Sequence, residues 1–135
     1  MLFRRTAFVI LTMCVFGAAQ AVQMSERQRP WTPEQLAFCD EYARFMGIAL
    51  ESHISKTPLG QLLPQLEPLR AQFSPAYFAL LENDFRKMVL TPINANFPSD
   101  PAQIKAGVRQ IEDFARPRCL TSLTALEGLA NGPGR

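Results

Sequence analysis

Each of four apolar-periodic segments of this chain is preceded by a small polar residue standing directly before a proline: Thr32-Pro33, Thr57-Pro58, Ser74-Pro75 and Asp100-Pro101. The side-chain oxygen of such a residue accepts from backbone N–H groups that a helix leaves unpaired at its start. Proline in the first helical position loses nothing, because its missing N–H would have been unpaired anyway. The four pairs therefore read as helix starts and divide the chain into helical segments. No stretch between them shows β-branched alternation or a βαβ rhythm. The expected fold class is all-α: a small antiparallel bundle of about four helices, with a short fifth at the C-terminus.

Periodicity supports each segment. After Thr32, with Gln35 placed to close a capping box, Leu36, Cys39, Ala43, Met46 and Leu50 recur at helical spacing. Phe38, Tyr42, Phe45 and Ala49 widen that stripe, and Asp40 and Arg44 form an i,i+4 pair outside it. The spacing predicts a helix over 33–55. The next start leads into Leu59, Leu62, Leu63, Leu66 and Leu69, interrupted by Pro64 and Pro68, so this helix is expected to be short or kinked. A third helix is expected from Ser74-Pro75 to about Leu90, with Phe78, Leu81, Phe85 and Met88 inward and Glu82 paired to Arg86. Thr91 to Ser99 breaks the pattern. The fourth helix opens at Asp100-Pro101 and carries Ile104, Val108, Ile111 and either Phe114 or Ala115 inward, with Glu112 and Arg116 paired outside. Pro117 is expected to kink or end it just before Cys119, and Leu120, Leu123 and Leu126 to form a separate short helix.

The first residues read as an address. Arg4 and Arg5 precede the apolar run Ala7 to Phe16, and Ala19-Gln20-Ala21 supplies the small residues of a cleavage site. The apolar run is shorter than the roughly 20 residues of a comfortable membrane span. A retained anchor and lipidation at Cys14 are the alternatives, and Met13 stands where a lipidation signal has a small residue. The residues after Arg4-Arg5 fit general secretion better than twin-arginine export. The expected organisation is a signal peptide over 1–21, a loose segment over 22–31, one helical domain over 32–130 and a frayed tail over 131–135. Export through the general route places the mature chain in the periplasm.

Cleavage removes two of the 14 Lys+Arg and none of the 12 Asp+Glu, so the mature chain carries no net formal charge. That lacks the basic footprint of a nucleic-acid binder, and the Arg109, Arg116, Arg118 group is interleaved with Glu112 and Asp113. Cleavage also removes Cys14 and leaves Cys39 and Cys119, 80 residues apart. An even count in an exported chain reads as one structural disulfide, against the rival of a reactive thiol or metal ligand. In an up-down-up-down bundle the two positions fall at the same end of neighbouring helices.

Little catalytic chemistry is on offer. His53 is the single imidazole and lies at the end of the first helix, where a boundary role suits it. Asp40/Glu41 and Glu112/Asp113 sit beside arginines on polar faces, so no catalytic residue is assigned. No metal site, no cofactor and no Gly-rich phosphate loop is expected. Of the seven Phe beyond the address segment, most fall on core stripes. Trp31, before the first helix, and Ile93 and Phe97, in the uncharged 91–99 segment, are the candidate interaction surface, against capping roles for each.

The run Phe38-Cys39-Asp40-Glu41-Tyr42-Ala43, the proline-punctuated middle and Ile111 to Cys119 together resemble small exported bacterial helical proteins with one disulfide. The resemblance implies an all-helical periplasmic fold and brings no catalytic residues. In outline the chain is similar to periplasmic immunity proteins against secreted cell-wall amidases, through its signal, helices and early Cys-x-x-Tyr, without their further glycine and cysteine features. It is also similar to acid-activated periplasmic chaperones in having one disulfide and a helical make-up, although those are shorter and this chain's low charge suits acid unfolding poorly. The expected function is a non-enzymatic periplasmic binding or interaction protein with a protein partner, as inhibitor, immunity factor or accessory subunit. The alternative is a stress chaperone exposing apolar helix faces. No nucleic acid and, after signal removal, no membrane is expected as partner.

Overall fold

The computed structural model describes residues 30–132. The address segment over 1–21 and residues 22–29 lie outside them, as do residues 133–135. Among the described residues all regular structure is helical, and no helix is long and apolar enough to cross a membrane.

Helix α1 runs Pro33–Ser55, with the capping box that the sequence predicts: Gln35 N–H donates to Thr32 Oγ1 at 3.1 Å and Thr32 N–H to Gln35 Oε1 at 2.8 Å. It ends on Lys56 in the left-handed region (φ 56°), whose N–H donates to the Ser52 carbonyl. The middle of the chain is broken as its prolines require. Helix α2 spans Leu59–Leu62, a 3-10 turn covers Leu63–Gln65 and helix α3 spans Glu67–Arg70. Pro58 itself occupies the cap position of α2, one residue later than the Thr57-Pro58 start predicts, and no side chain caps it. Helix α4 spans Pro75–Leu90 behind the Ser74 cap, and α5 spans Pro101–Ala130 behind Asp100, which accepts from Ala102 N–H.

Helix α5 corrects the expectation at Pro117. The proline neither ends the helix nor separates Leu120, Leu123 and Leu126 from it; all lie on one element of 30 residues. The backbone bond that Pro117 forfeits is the one to the Asp113 carbonyl, and both residues are exposed, so water can satisfy that oxygen. Beyond the proline the helix is pinned by the disulfide Cys39–Cys119, whose Cα atoms lie 5.5 Å apart. The bridge therefore joins the first third of α1 to the interior of α5, not to a helix end.

Residue pairs fix the topology. Phe38 meets Tyr77 and Phe45 meets Phe85, with ring centroids 5.0 and 5.6 Å apart, so α4 runs parallel to α1. Gln35 meets Glu127 and Cys39 meets Cys119, so α5 runs antiparallel to it. Where the two helices approach near Gly47, a Cβ would stand 3.0 Å from Val108 Cγ1 and from Glu112 Oε1, so any larger residue must push these side chains back. Helix α1 is thus the central element, with α5 along one side and α4 along another. The buried stripe is rotated from the predicted one. Phe38, Phe45 and Ala49, the widening residues, are fully buried, whereas Leu36 and Leu50 are half-buried. Leu62, Leu66 and Leu69 from the broken limb and Phe78, Leu81 and Phe85 from α4 complete this core.

Two ion pairs also differ from expectation. Arg44 pairs with Glu41, not Asp40, and Arg116 reaches across to Asp40 from α5 instead of pairing with Glu112. Glu82 and Arg86 pair as predicted at 2.7 Å.

Candidate functional site

Helices α4 and α5 flank α1 without packing along each other. They are joined at one end by a polar clasp. Glu127 Oε1 accepts from Gln35 Nε2 and from Tyr77 Oη, both at 2.8 Å, linking α1, α4 and α5. Away from the clasp the two helices leave an open groove over α1.

The groove has a volume of about 410 Å³. Tyr42 and Met46 of α1 form its floor, and Asp84, Lys87 and Met88 of α4 form one wall. Ile111, Phe114, Ala115 and Arg118 of α5 form the other, and Thr91 and Ile93 close the end where the chain leaves α4. The reason for the opening lies in α5. Of its apolar stripe only Ala115, Cys119 and Leu123 are buried, while Ile104, Val108 and Ile111 are half-buried and Phe114 is 60% exposed. The small Ala115 takes the inward position and Phe114 is left on the rim, with the Arg118 guanidinium 5.1 Å from its ring centroid.

One polar contact crosses the floor. Tyr42 Oη donates to Asp84 Oδ2 at 2.6 Å. Burial, together with the Asp84 hydrogen bond and charge, pushes the Tyr42 phenol above its ordinary range, and Arg118 opposes that shift. At neutral pH the phenol is protonated and donates to Asp84 Oδ2. Nothing in this arrangement supplies a nucleophile with a base. His53 stands apart from it, with Nε2 2.8 Å from the Met88 carbonyl, at the end of α1. Among the described residues no group of three or more His, Cys, Asp and Glu side chains converges to hold a metal ion.

The structure places the three surface candidates differently. Ile93 is 37% exposed and lines the groove. Phe97 is half-buried and is not part of its lining. Trp31, directly before the Thr32 cap, is 39% exposed, and the groove draws its lining from residues 42 to 118. The sequence reading missed Lys87, Arg118 and the Tyr42–Asp84 bond. One signal for them was present: Asp84 is an acid placed between Leu81, Phe85 and Met88 on an otherwise apolar stripe. A second was the competition between adjacent Phe114 and Ala115 for one inward position. No family model, no curated protein and no solved structure matches this chain.

Proposed function

We propose that this chain is an exported, non-enzymatic binding protein of the periplasm that docks a protein partner on the face around the α4–α5 groove. The observation that carries the reading is the groove's rim, where Ile93 and Phe114 are 37 and 60% exposed; of the other exposed large apolar residues among those described, Leu90 adjoins the lining residue Thr91 in sequence, and Trp31 and Leu129 lie outside the lining. Large apolar side chains around a concave opening mark interaction sites on small proteins. Met46 and Met88, unbranched and polarizable, give the floor and wall the adaptability to accept an inserted side chain. Export is supported by the address at Met1 to Ala21 and by the Cys39–Cys119 bridge, a bond that persists in oxidising compartments. Inhibitor, immunity factor and accessory subunit all act through such a surface.

Site-specific photo-crosslinking in the intact cell envelope tests the reading. A photoreactive residue replacing Phe114 is expected to give one adduct of defined mass, and the same residue replacing exposed Ala79 to give none. No adduct at position 114, or equal labelling at both positions, contradicts it. Intact-mass measurement of the periplasmic protein is expected to show an N-terminus at Val22, and an uncut Met1 or a lipid on Cys14 contradicts export by this route.

A further inference from the structure

The groove is not merely apolar. Lys87 and Arg118 stand on its opposite walls, and neither forms an ion pair among the described residues, unlike Arg44, Arg70, Arg86 and Arg116. The one carboxylate in the lining, Asp84, accepts from the neutral Tyr42 phenol, and against its formal charge Lys87 and Arg118 leave the lining with one positive charge in excess. Two cations therefore face a mouth whose interior is formed by Met46, Met88, Ile111 and Ala115. A desolvated apolar body with an anion at one end matches that pattern, because charge-assisted bonds to the anion are strongest beside low-dielectric walls.

Size separates the candidate occupants. About 410 Å³ falls within the 300–1,000 Å³ of small-molecule sites. A docked protein covers on the order of 800 Å² per partner, so it rests on the face around the opening and leaves the interior to a smaller occupant. We propose that the groove binds a single-chain amphiphile with an anionic head, such as a medium-chain carboxylate, its chain along Met46, Met88 and Ile111 and its head held by Lys87 and Arg118. The inference rests on the reading that the groove is the molecule's binding site and adds the chemistry of what enters it. Ile93 and Phe114 belong to both roles, so a bound amphiphile excludes the partner's apolar group.

The test is calorimetric titration of the mature protein with decanoate, decan-1-ol and decyltrimethylammonium below their micellar concentrations, with the methionine methyl resonances followed in parallel. Decanoate is expected to bind once per chain and to move the Met46 and Met88 methyls. The alcohol is expected to bind roughly tenfold more weakly or worse, having no charge for the cations. Lys87 and Arg118 are exposed, so Lys87→Glu/Arg118→Glu keeps the fold, which a melting curve checks, and is expected to turn the preference to the ammonium. Lys87→Glu alone is expected to weaken decanoate without reversing the order. Equal binding of the three amphiphiles, an unchanged preference in the double variant, or no binding overturns the inference. If none binds while the adduct at position 114 persists, the groove serves protein docking alone; if that adduct is absent too, the docking reading falls with it.

Discussion

The smallest unit that explains something here is the Tyr42–Asp84 contact. A half-buried phenol held against a carboxylate resists ionisation, and Tyr77, whose phenol is raised by burial and by Glu127, resists it as well. Both tyrosines of the chain therefore titrate later in the folded protein than in the unfolded one. A raised folded-state value means that the associated stability is fully present below about pH 10, the unfolded tyrosine value, and is lost as pH rises through the folded one. Ultraviolet titration is expected to show both phenols ionising late, with the later of the two absent in Tyr42→Phe. An ordinary tyrosine curve for the wild type contradicts the buried bond. Asp84 carries the lesson about legibility at this scale. An acid on an apolar stripe was visible in the sequence, but its partner lies 42 residues away on another helix, and no local spacing rule connects the two.

At the scale of elements the sequence was most legible where the physics is local. The Thr32 capping box and the Ser74 and Asp100 caps follow from a few adjacent residues, and α1, α4 and the start of α5 appear at the predicted positions. Legibility failed where tertiary support outweighs local preference. Pro117 reads as a kink or a helix end, yet α5 does not end there, because Asp113 and Pro117 are exposed to water and the Cys39–Cys119 bridge holds the next turn. Pro117→Ala restores the forfeited backbone bond, and it is expected to raise unfolding stability by about 1–3 kcal/mol in denaturant titration. A loss of stability contradicts the view that the proline is only tolerated. Gly47 makes the opposite case. Val108 is stiff at χ1 and stands where a Cβ would come, so Gly47→Leu is expected to overpack the α1–α5 contact and cost about 1–3 kcal/mol. An unchanged midpoint means that the two helices separate more easily than their spacing implies.

For the whole molecule, one central helix with α4 and α5 on two sides leaves the α4–α5 flank partly open, and the disulfide and the Glu127 clasp hold the frame elsewhere. The bridge closes a separation of 80 residues, so releasing it in Cys39→Ala is expected to cost roughly 4 kcal/mol of stability, seen as a large drop in denaturant midpoint. A change below about 1 kcal/mol contradicts its structural role. The all-α class and the bridge could be read from helix starts and from the cysteine count. The groove could not, because it arises from which of two adjacent residues, Phe114 or Ala115, turns inward and from α4 and α5 lying apart. The central claim is that Ile93 and Phe114 are exposed for binding and do not hold the fold. Melting the Ile93→Ser/Phe114→Ser double variant beside the wild type, with envelope crosslinking from a photoreactive residue at exposed Leu90 of each, tests that claim directly. An unchanged melting temperature and loss of the adduct are expected; a fall of several degrees, or an adduct that persists, contradicts the claim.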